Sequence, residues 1–383
     1  MFCRHLLITM GSTVSELLAP EAPVLPAAIS CPESDGVSLE VHVWGPDADP
    51  DGFDALADVW DQLVDRSGSR AFFMRLAWQK VWWRNLGLGE RWITAYRRHD
   101  TGALVGILPL YRLTGDDSLH DGRDQLSIVG CIEVSDYLDV IVACGWEDCV
   151  YRAFLDWLEG PTAPPWEVVD LCNLPSSSTT WQVLPVLAEA RGLSVRVFQE
   201  DVAPAIELPD TYEDYLEHQV ASKQRHEIRR KQRRIEREAE VGVYIVGSEH
   251  DLRREVGDFI ALQKASQSYK REFMTPDMEH FFHEMSRDMF DAGTLSLMFL
   301  TLNGEKAAAL LAFSQDGHYL LYNSGFRPDL HYHLSPGWVI LSYALQYAIV
   351  SGHKVFDFMQ GDEEYKGRFG AVDHPVMRVI LEH

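Results

Sequence analysis

The chain lacks several features that would assign a protein to a class at once. No run of about eighteen or more apolar residues occurs in its 383 residues, so we expect no membrane-spanning helix. A Walker-type phosphate loop, a dinucleotide-binding fingerprint, a GxSxG elbow and an HExxH motif are also missing. These absences remove the familiar sequence evidence for a P-loop, Rossmann, serine hydrolase or zinc protease domain.

Basic residues are scarce, with 34 Lys and Arg against 58 Asp and Glu and a formal charge of −24. Binding to DNA needs a positive surface, so we expect no DNA partner. The six cysteines show no CxxC spacing and none follows Cys172. Together with a broken apolar run in the first twenty residues, this predicts free thiols, no secretory signal and a cytoplasmic location.

Histidine and acidic residues do not form a metal-binding pattern. His280, His283 and Glu284 share one predicted helix without the spacing of a zinc site, and His331 and His333 fall in a predicted loop. We therefore expect no metal.

What is present is a repeated order of elements. Residues 1–37, rich in Pro, Ala and Ser over 20–36, are expected to be a flexible lead-in. Residues 38–205 and 206–383 each read as helices, an antiparallel meander, a helix and a strand. Turns are predicted at Gly102, Asn303-Gly304 and Asp316-Gly317. The pattern predicts two similar α/β domains, each a mixed, mostly antiparallel sheet flanked by helices.

A clean helix start follows the last hairpin of the second half. Ser335 can cap the helix SPGWVILSYALQYAIVSG, Pro336 suits its first turn, and Gly337 permits close approach to the backbone. Free N–H groups and the positive end of the helix dipole favour an anion at such a terminus. This motif is therefore either a plain helix start or a site for an anion such as a pyrophosphate.

The run LLYNSGF, RPDLHYHL, SPGWVILSYALQYAIVSG and KVFDFMQGDEEYKGRFG resembles the GNAT acyltransferase superfamily. More narrowly it is similar to the bacterial cellulose-biosynthesis-type acetyltransferases, relatives of the Fem aminoacyltransferases. Both groups have tandem GNAT domains. The pieces AWQKVWW, GILPLY, SDYLDVIV and SKQRHEIRRKQRR are weaker matches that extend the resemblance over residues 40–380.

This resemblance implies a donor site on the predicted strand before the helix and on the helix N-terminus. The strand would supply backbone groups to the pantetheine arm of acetyl-CoA or another acyl-CoA, and the helix would hold its pyrophosphate. Candidate donor-binding residues are Tyr322, Asn323, Ser324, Ser335, Pro336, Gly337 and Trp338. The loop HYHLSPGW lacks the arginine and second glycine of the usual GNAT signature, so an aminoacyl-tRNA donor stays open.

The charged segment GDEEYK supplies the chemistry that acyl transfer to an amine needs. Asp362 or Glu363 could remove the amine proton, Tyr365 could supply a proton, and Lys366 could stabilise negative charge. Asp357 alternates with two phenylalanines on the preceding strand, so it points to the opposite face, toward a cleft. The alternatives are a solvated loop with ordinary ion pairs, or transfer by positioning alone.

A basic helix is predicted over residues 221–238, where eight cationic residues accompany three acidic ones. Arg225, Arg229 and Arg233 form a stripe that could bind a small anionic acceptor, the phosphates of the donor or, with less support, a tRNA. A solvated helix that offsets acidic neighbours is the plain alternative. Trp78 and Tyr137 are further candidates for the acceptor site.

The sequence thus favours a tandem GNAT N-acyltransferase. It would move an acyl group, in the first instance acetyl, to an amine of a sugar or small metabolite. Polysaccharide or envelope assembly is the expected setting. The second domain would hold the donor and the first would shape the acceptor cleft. The rivals are a Fem-type aminoacyl-tRNA-dependent enzyme and a non-catalytic GNAT-fold binding protein.

Overall fold

A computed structural model describes residues 38–131 and 134–383; the predicted lead-in of residues 1–37 lies outside them. Thirteen strands lie in this part of the chain. In chain order they are β1 (Leu39–Trp44), β2 (Glu90–Arg98), β3 (Leu104–Leu113), β4 (Gln125–Ile128), β5 (Ile141–Val142), β6 (Val168–Pro175), β7 (Ser194–Glu207), β8 (Val241–Ile245), β9 (Leu295–Leu302), β10 (Glu305–Gln315), β11 (His318–Phe326), β12 (Val355–Asp357) and β13 (Val372–Glu382).

Twelve α-helices flank these strands over the same residues. They are α1 (Gly52–Ala55), α2 (Ala57–Arg66), α3 (Leu76–Leu86), α4 (Glu147–Leu158), α5 (Thr180–Glu189), α6 (Tyr212–His218), α7 (Ser222–Glu238), α8 (Leu252–Ser266), α9 (Ser268–Phe273), α10 (Pro276–Asp291), α11 (Pro336–Val350) and α12 (Glu364–Arg368). None of the helices in the described ranges is long and apolar enough to cross a membrane.

The strands form one mixed sheet in the order β1-β2-β3-β4-β6-β13-β7-β12-β11-β10-β9-β8, with β5 added at β3. The predicted hairpins are confirmed. Asn303 and Gly304 turn between β9 and β10, and Asp316 and Gly317 turn between β10 and β11, all four with positive φ. Two consecutive residues with positive φ match the right-handed twist of the strands they join.

The pairing pattern of the first half recurs in the second. Residues 125–127 of β4 run parallel to 168–170 of β6, and residues 318–320 of β11 run parallel to 355–357 of β12. Each half then borrows a strand from the other, because β12 pairs with β7 and β6 pairs with β13. The predicted fold class is confirmed by this mixed sheet. The proposed domain boundary near residue 205 falls inside β7 and stays a prediction.

Two parts of the sheet differ from the sequence prediction. The sequence predicts no element after residue 370, whereas β13 (Val372–Glu382) lies there, between β6 and β7. Cys131 and Cys172 form a disulfide that ties the end of β4 to β6, so the prediction of free thiols is wrong for this pair. Their spacing of 41 residues gives no local signal, because only the folded sheet brings the two together.

The sheet separates two apolar cores. On one face, α11 packs with α6 and α7 over β9, β10 and β11. Most of its length is buried, including Ile340, Leu341 and Leu345, so it holds the second half together. On the other face, α3, α8 and α10 pack around a cluster of aromatic rings that both halves contribute.

Candidate functional site

The parallel strands β11 and β12 diverge soon after they meet. Only three residue pairs join them, and the last is Leu320 with Asp357. β11 then continues to Phe326, whereas the chain after Asp357 turns away through Met359 and Gly361, which have φ of 60° and 115°. The result is an opening between residues 321–326 and 358–361. We call it the splay.

A β-bulge lies beside this opening. Leu311 of β10 pairs with Asn323 and Ala312 pairs with Leu321, so Tyr322 is an extra residue in β11. A bulged residue drops out of the regular ladder and leaves backbone groups unpaired. The sequence predicted donor-binding backbone at Tyr322, Asn323 and Ser324, and the bulge falls among these residues.

The hydrogen-bond register fixes which way the backbone of Ser324 points. Arg327 N–H donates to the carbonyl of Ala307 at 2.9 Å, and hydrogen-bonded pairs recur every second residue in an antiparallel ladder. Ser324, paired with Leu310, therefore directs its own N–H and carbonyl away from β10 and toward the splay. The side chain of Asn323 accepts the N–H at 2.8 Å.

Lys270 of α9 reaches into the splay, although no motif in the sequence indicates a role for it. Its Nζ donates to the carbonyl oxygen of Ser324 at 2.7 Å and lies 3.4 Å from the Ser324 hydroxyl. Burial lowers the pKa of Lys270 to about 8, while the nearby carboxylate of Glu363 favours the charged form. An ammonium so placed can donate to an oxygen atom that enters the splay.

Trp78 is not a cleft residue, and that prediction is wrong. Its side chain is completely buried among Phe73, Phe313 and Tyr322, and its indole N–H donates to the Ser135 hydroxyl at 3.0 Å. Trp78 is therefore part of the aromatic core between the halves.

Tyr322 belongs to this core through its side chain. Its hydroxyl donates to the carbonyl of Val134 at 2.9 Å, and burial raises the pKa of Tyr322 well above its usual value. Only its backbone can serve a bound donor.

The N-terminus of α11 lies at the open end of the splay. A methyl group on Gly337 would meet the ring of Phe326, the last residue of β11, at an ordinary contact distance of 3.6 Å. Ser335 has φ of 55° and makes no capping bond with its side chain, so the predicted side-chain cap is wrong. Its carbonyl instead accepts from the N–H groups of Trp338 and Val339 at 3.0 and 3.1 Å.

Positive charge surrounds this terminus. The Nζ of Lys231 lies 4.3 Å from the centre of the Trp338 ring, which also packs on Phe369 at 4.7 Å between ring centres. Burial lowers the pKa of Lys231, and Arg368 is close enough to lower it further. Lys231 also lies 3.7 Å from Glu227, and Arg368 pairs with Glu364 at 2.7 Å, so these two cations are partly balanced. The helix start and its two neighbouring cations remain the part of the splay that could receive a phosphate.

The predicted charged segment GDEEYK consists of a turn followed by the start of the short helix α12. Its lysine is buried. Lys366 Nζ donates to the carbonyl oxygens of Met359, Gln360 and Gly361 at 3.2, 2.8 and 2.9 Å. It also pairs with Glu363 at 2.8 Å. The ammonium therefore fixes the turn that opens the splay.

The other members of the segment differ in exposure. Asp362 and Glu363 are exposed on the turn before α12. Tyr365 is half-buried, with its ring 6.2 Å from that of Phe358. Burial raises the pKa of Tyr365, and Glu363 adds to the effect.

Asp357 differs in burial from the other acidic residues of the predicted catalytic set. It is buried at the apex of the splay, and its carboxylate accepts from the Tyr137 hydroxyl at 2.9 and 2.8 Å and from the Met359 N–H at 2.7 Å. Burial raises the pKa of Asp357. Asp136 lies nearby; burial and the charge of Asp357 raise its pKa to about 7. The sequence pointed to Asp357 and Tyr137 separately but missed Asp136.

The basic helix α7 is less available than its composition suggests. Arg225 pairs with Glu217 at 2.5 Å, and Arg229 pairs with Glu213 at 2.5 Å. Both partners lie on α6, so the arginine stripe is largely neutralised by the neighbouring helix. Arg233 is exposed.

Residues 222–367 match the sequence model of the family described as "Acetyltransferase (GNAT) domain". This segment is similar to GNAT acetyltransferase domains. It contains β11, the splay, α11 and the turn before α12, so the geometry above belongs to the matched part. GNAT domains transfer acyl groups and generally use an acyl-CoA as co-substrate, and the protein is accordingly an acyltransferase. No curated protein matches the chain.

Solved structures share the fold of most of the chain at low sequence identity. FemX is 10% identical and aligns over 84% of this chain and 95% of its own, with a TM-score of 0.60. A conserved protein of unknown function from Bacteroides thetaiotaomicron VPI-5482 is also 10% identical, covers 86% and 97%, and has a TM-score of 0.53. These two likenesses show the fold alone.

Proposed function

We propose that the protein is an N-acyltransferase that moves an acyl group from acyl-CoA to an amine of a sugar or small metabolite, with acetyl as the favoured acyl group. The observation that carries this proposal is the splay, with a bulged strand on one side and a helix N-terminus at its open end. Such an opening can take an extended thioester along the strand, where the bulge at Tyr322 leaves backbone groups unpaired, and an anion at the helix N-terminus at its far end.

The donor site is assembled from residues of β11 and α11. We place the pantetheine arm along the backbone of Tyr322, Asn323 and Ser324. The diphosphate lies at the first turn of α11, where Ser335, Pro336, Gly337 and Trp338 form the terminus and Lys231 and Arg368 add charge. An acyl thioester supplies an electrophilic carbonyl and a thiolate leaving group.

Asp357 is the proposed proton acceptor for the amine. A carboxylate has about four lone-pair sites, so the bonds from Tyr137 and Met359 leave capacity for a third donor. Lys270, which already donates to an oxygen in the splay, is the proposed group that stabilises charge on the reacting carbonyl. Lys366 acts as a positioning residue, because its ammonium is committed to three carbonyls of the turn.

The exposed members of the segment receive lesser roles. Asp362 and Glu363 lie at the rim, where Glu363 orients Lys366, and Tyr365 lies where a proton could reach the departing thiolate. We assign the α7 arginines at most a place beside the donor phosphates. Arg225 and Arg229 form ion pairs with α6, which leaves Arg233 as the exposed member of the stripe.

The finer family and location are also proposals. The likeness of residues 335–370 to the cellulose-biosynthesis-type acetyltransferases supports a role in polysaccharide or envelope assembly in the cytoplasm. An aminoacyl-tRNA donor is less well supported, because α7 lacks a free positive stripe for an acceptor stem.

Titration calorimetry and thermal unfolding with acetyl-CoA test the proposal. A ligand at one hundred times its dissociation constant stabilises the native state by about 2.7 kcal/mol, so a clear rise in melting temperature is expected. Asp357→Asn should retain this binding and lose acyl transfer. Salt-sensitive binding of aminoacyl-tRNA without acyl-CoA binding would point to the Fem-type enzyme. Binding of neither would favour a non-catalytic protein.

A further inference from the structure

A cavity of about 800 Å³ lies on the side of the sheet that carries Asp357. Its floor is made by four neighbouring strands, β11, β12, β7 and β13. Residues that pair across these strands point to the same face, so Leu320, Asp357, Ala205 and Val372 form one row of the floor. The small side chain of Ala205, beside Asp357, leaves the floor deep at this point.

The next row adds charge to the floor. His318, Val355 and Glu207 pair with one another one step further from the splay, and all three line the cavity. The carboxylates of Glu207 and Asp357 therefore lie on one surface. Asp316 also lines the cavity, but it is bound to Arg75 at 3.2 Å.

The walls come from the first half of the chain. They include residues 68–72, Tyr137 and the turn after β6. Phe72 and Tyr137 supply aromatic surface, Ser176 and Ser177 supply hydroxyls, and Arg70 is the cation of the lining. The arginines of α7 predicted to hold the acceptor are not among the lining residues.

We propose that this cavity binds the acceptor and selects a compact, hydroxyl-bearing amine of net positive charge, of the size and class of a free amino sugar, without a phosphate group. The inference rests on the proposed function and names its substrate class. Cavities of roughly 300–1,000 Å³ hold small molecules of this size. Carboxylates on the floor attract an ammonium and repel a phosphate, while hydroxyls and aromatic rings suit a sugar.

The position of Asp357 links the cavity to the reaction. It lines the floor and is also the last β12 residue before the splay. The bound ammonium gives one proton to the Asp357 carboxylate, and the neutral amine attacks the thioester carbonyl. A C–N bond forms and the C–S bond breaks. The second amine proton passes to the departing thiolate, so the products are the amide, the free thiol of CoA and a protonated Asp357 that releases its proton to solvent.

The test compares glucosamine and galactosamine with glucosamine 6-phosphate in the full-length protein. Thiol release from acetyl-CoA gives kcat/KM, and calorimetry without acetyl-CoA gives direct binding of each sugar. We expect kcat/KM for glucosamine or galactosamine to exceed that for the phosphate by about tenfold or more. Ala205→Leu, which fills the floor, should abolish sugar binding and leave the dissociation constant of acetyl-CoA unchanged.

Glu207→Lys is the sharper variant, because it should reduce or reverse the preference against the phosphate. Asp373→Lys is the matched control; it makes the same charge change on β13, next to cavity residue His374 but on the opposite face. It should leave the preference unchanged. If neither amino sugar binds or reacts, or if Ala205→Leu and Glu207→Lys act like the control, the inference is overturned, whereas failure to bind acetyl-CoA with sugar binding intact overturns only the proposed donor.

Discussion

The hydroxyl of Tyr137 donates to both carboxylate oxygens of Asp357, at 2.9 and 2.8 Å, across 220 residues of sequence. The bond joins a loop of the first half to the apex of the splay in the second. It stabilises the carboxylate form of an aspartate that burial otherwise drives toward the protonated form. In the proposed mechanism, cleft formation and proton transfer therefore depend on the same contact.

Tyr137→Phe should impair both the folding of the cleft and the proposed proton transfer to Asp357. Loss of the donor raises the pKa of Asp357 further, so the acidic limb of the kcat/KM profile should move to higher pH. Stability should fall by about 1–3 kcal/mol at neutral pH, because a buried carboxylate loses a partner, and by less in acid, where Asp357 is protonated. Urea unfolding at pH 5 and pH 8 checks the second effect. An unshifted acidic limb would mean that Asp357 does not titrate in the reaction.

Asp136→Asn should remove a pH-dependent loss of stability. The pKa of Asp136 is about 7 in the fold, against about 4 in the unfolded chain. The native state thus holds a proton that the unfolded state has lost, and stability falls as pH rises from about 4 to about 7. Between pH 5 and pH 8, the free energy of unfolding of the variant should rise relative to that of wild type by on the order of 2 kcal/mol. A constant difference in free energy of unfolding over that range contradicts this prediction.

Lys366→Met should destabilise the turn at the splay. The substitution leaves three carbonyl oxygens, one buried and two partly buried, without their donor, at a cost of about 1–3 kcal/mol. If Lys366 only positions this turn, the variant should raise the dissociation constant of acetyl-CoA and lower kcat together. Arg368→Met changes an exposed residue of the same helix, and its free energy of unfolding serves as the comparison. Unchanged binding with lost turnover would assign Lys366 a direct role in the chemistry.

Gly325→Ala should separate β11 from α8. An added methyl group would lie 2.4 Å from the backbone nitrogen of Gln263 and 2.6 Å from the carbonyl carbon of Leu262, and backbone atoms cannot move aside cheaply. Overpacking of this kind costs about 1–3 kcal/mol. Gly257→Ala, on α8 in open space, is the control and should be neutral or stabilising. Equal melting temperatures for the two variants would contradict the close packing of β11 on α8.

Local patterns in the sequence predicted most of the elements. The hairpin at Asn303-Gly304 and the helix at Pro336 follow from turn chemistry and periodicity, which act over a few residues. β13 was not predicted, because its partners β6 and β7 lie roughly 200 residues earlier in the chain. A strand exchanged between halves has no local signature.

The site was predicted only in part for the same reason. Asp357 could be assigned from strand alternation, but its bond to Tyr137 depends on how the halves pack. Lys270 lies 54 residues before Ser324 in a short helix with no motif. The charge of α7 was visible in the sequence, whereas its neutralisation by Glu213 and Glu217 arises from the packing of α6 against α7.

The most direct test of the account is the affinity of acetyl-CoA for variants at Gly337, the second residue of α11. Asparagine and aspartate have the same shape there, and a carboxylate at a helix N-terminus stabilises the helix, so Gly337→Asp should fold at least as well as Gly337→Asn. By calorimetry, Gly337→Asp should bind acetyl-CoA about tenfold or more weakly than Gly337→Asn, because the two side chains have the same size and only the carboxylate opposes the diphosphate. Equal dissociation constants for the two variants would contradict a diphosphate site at this terminus.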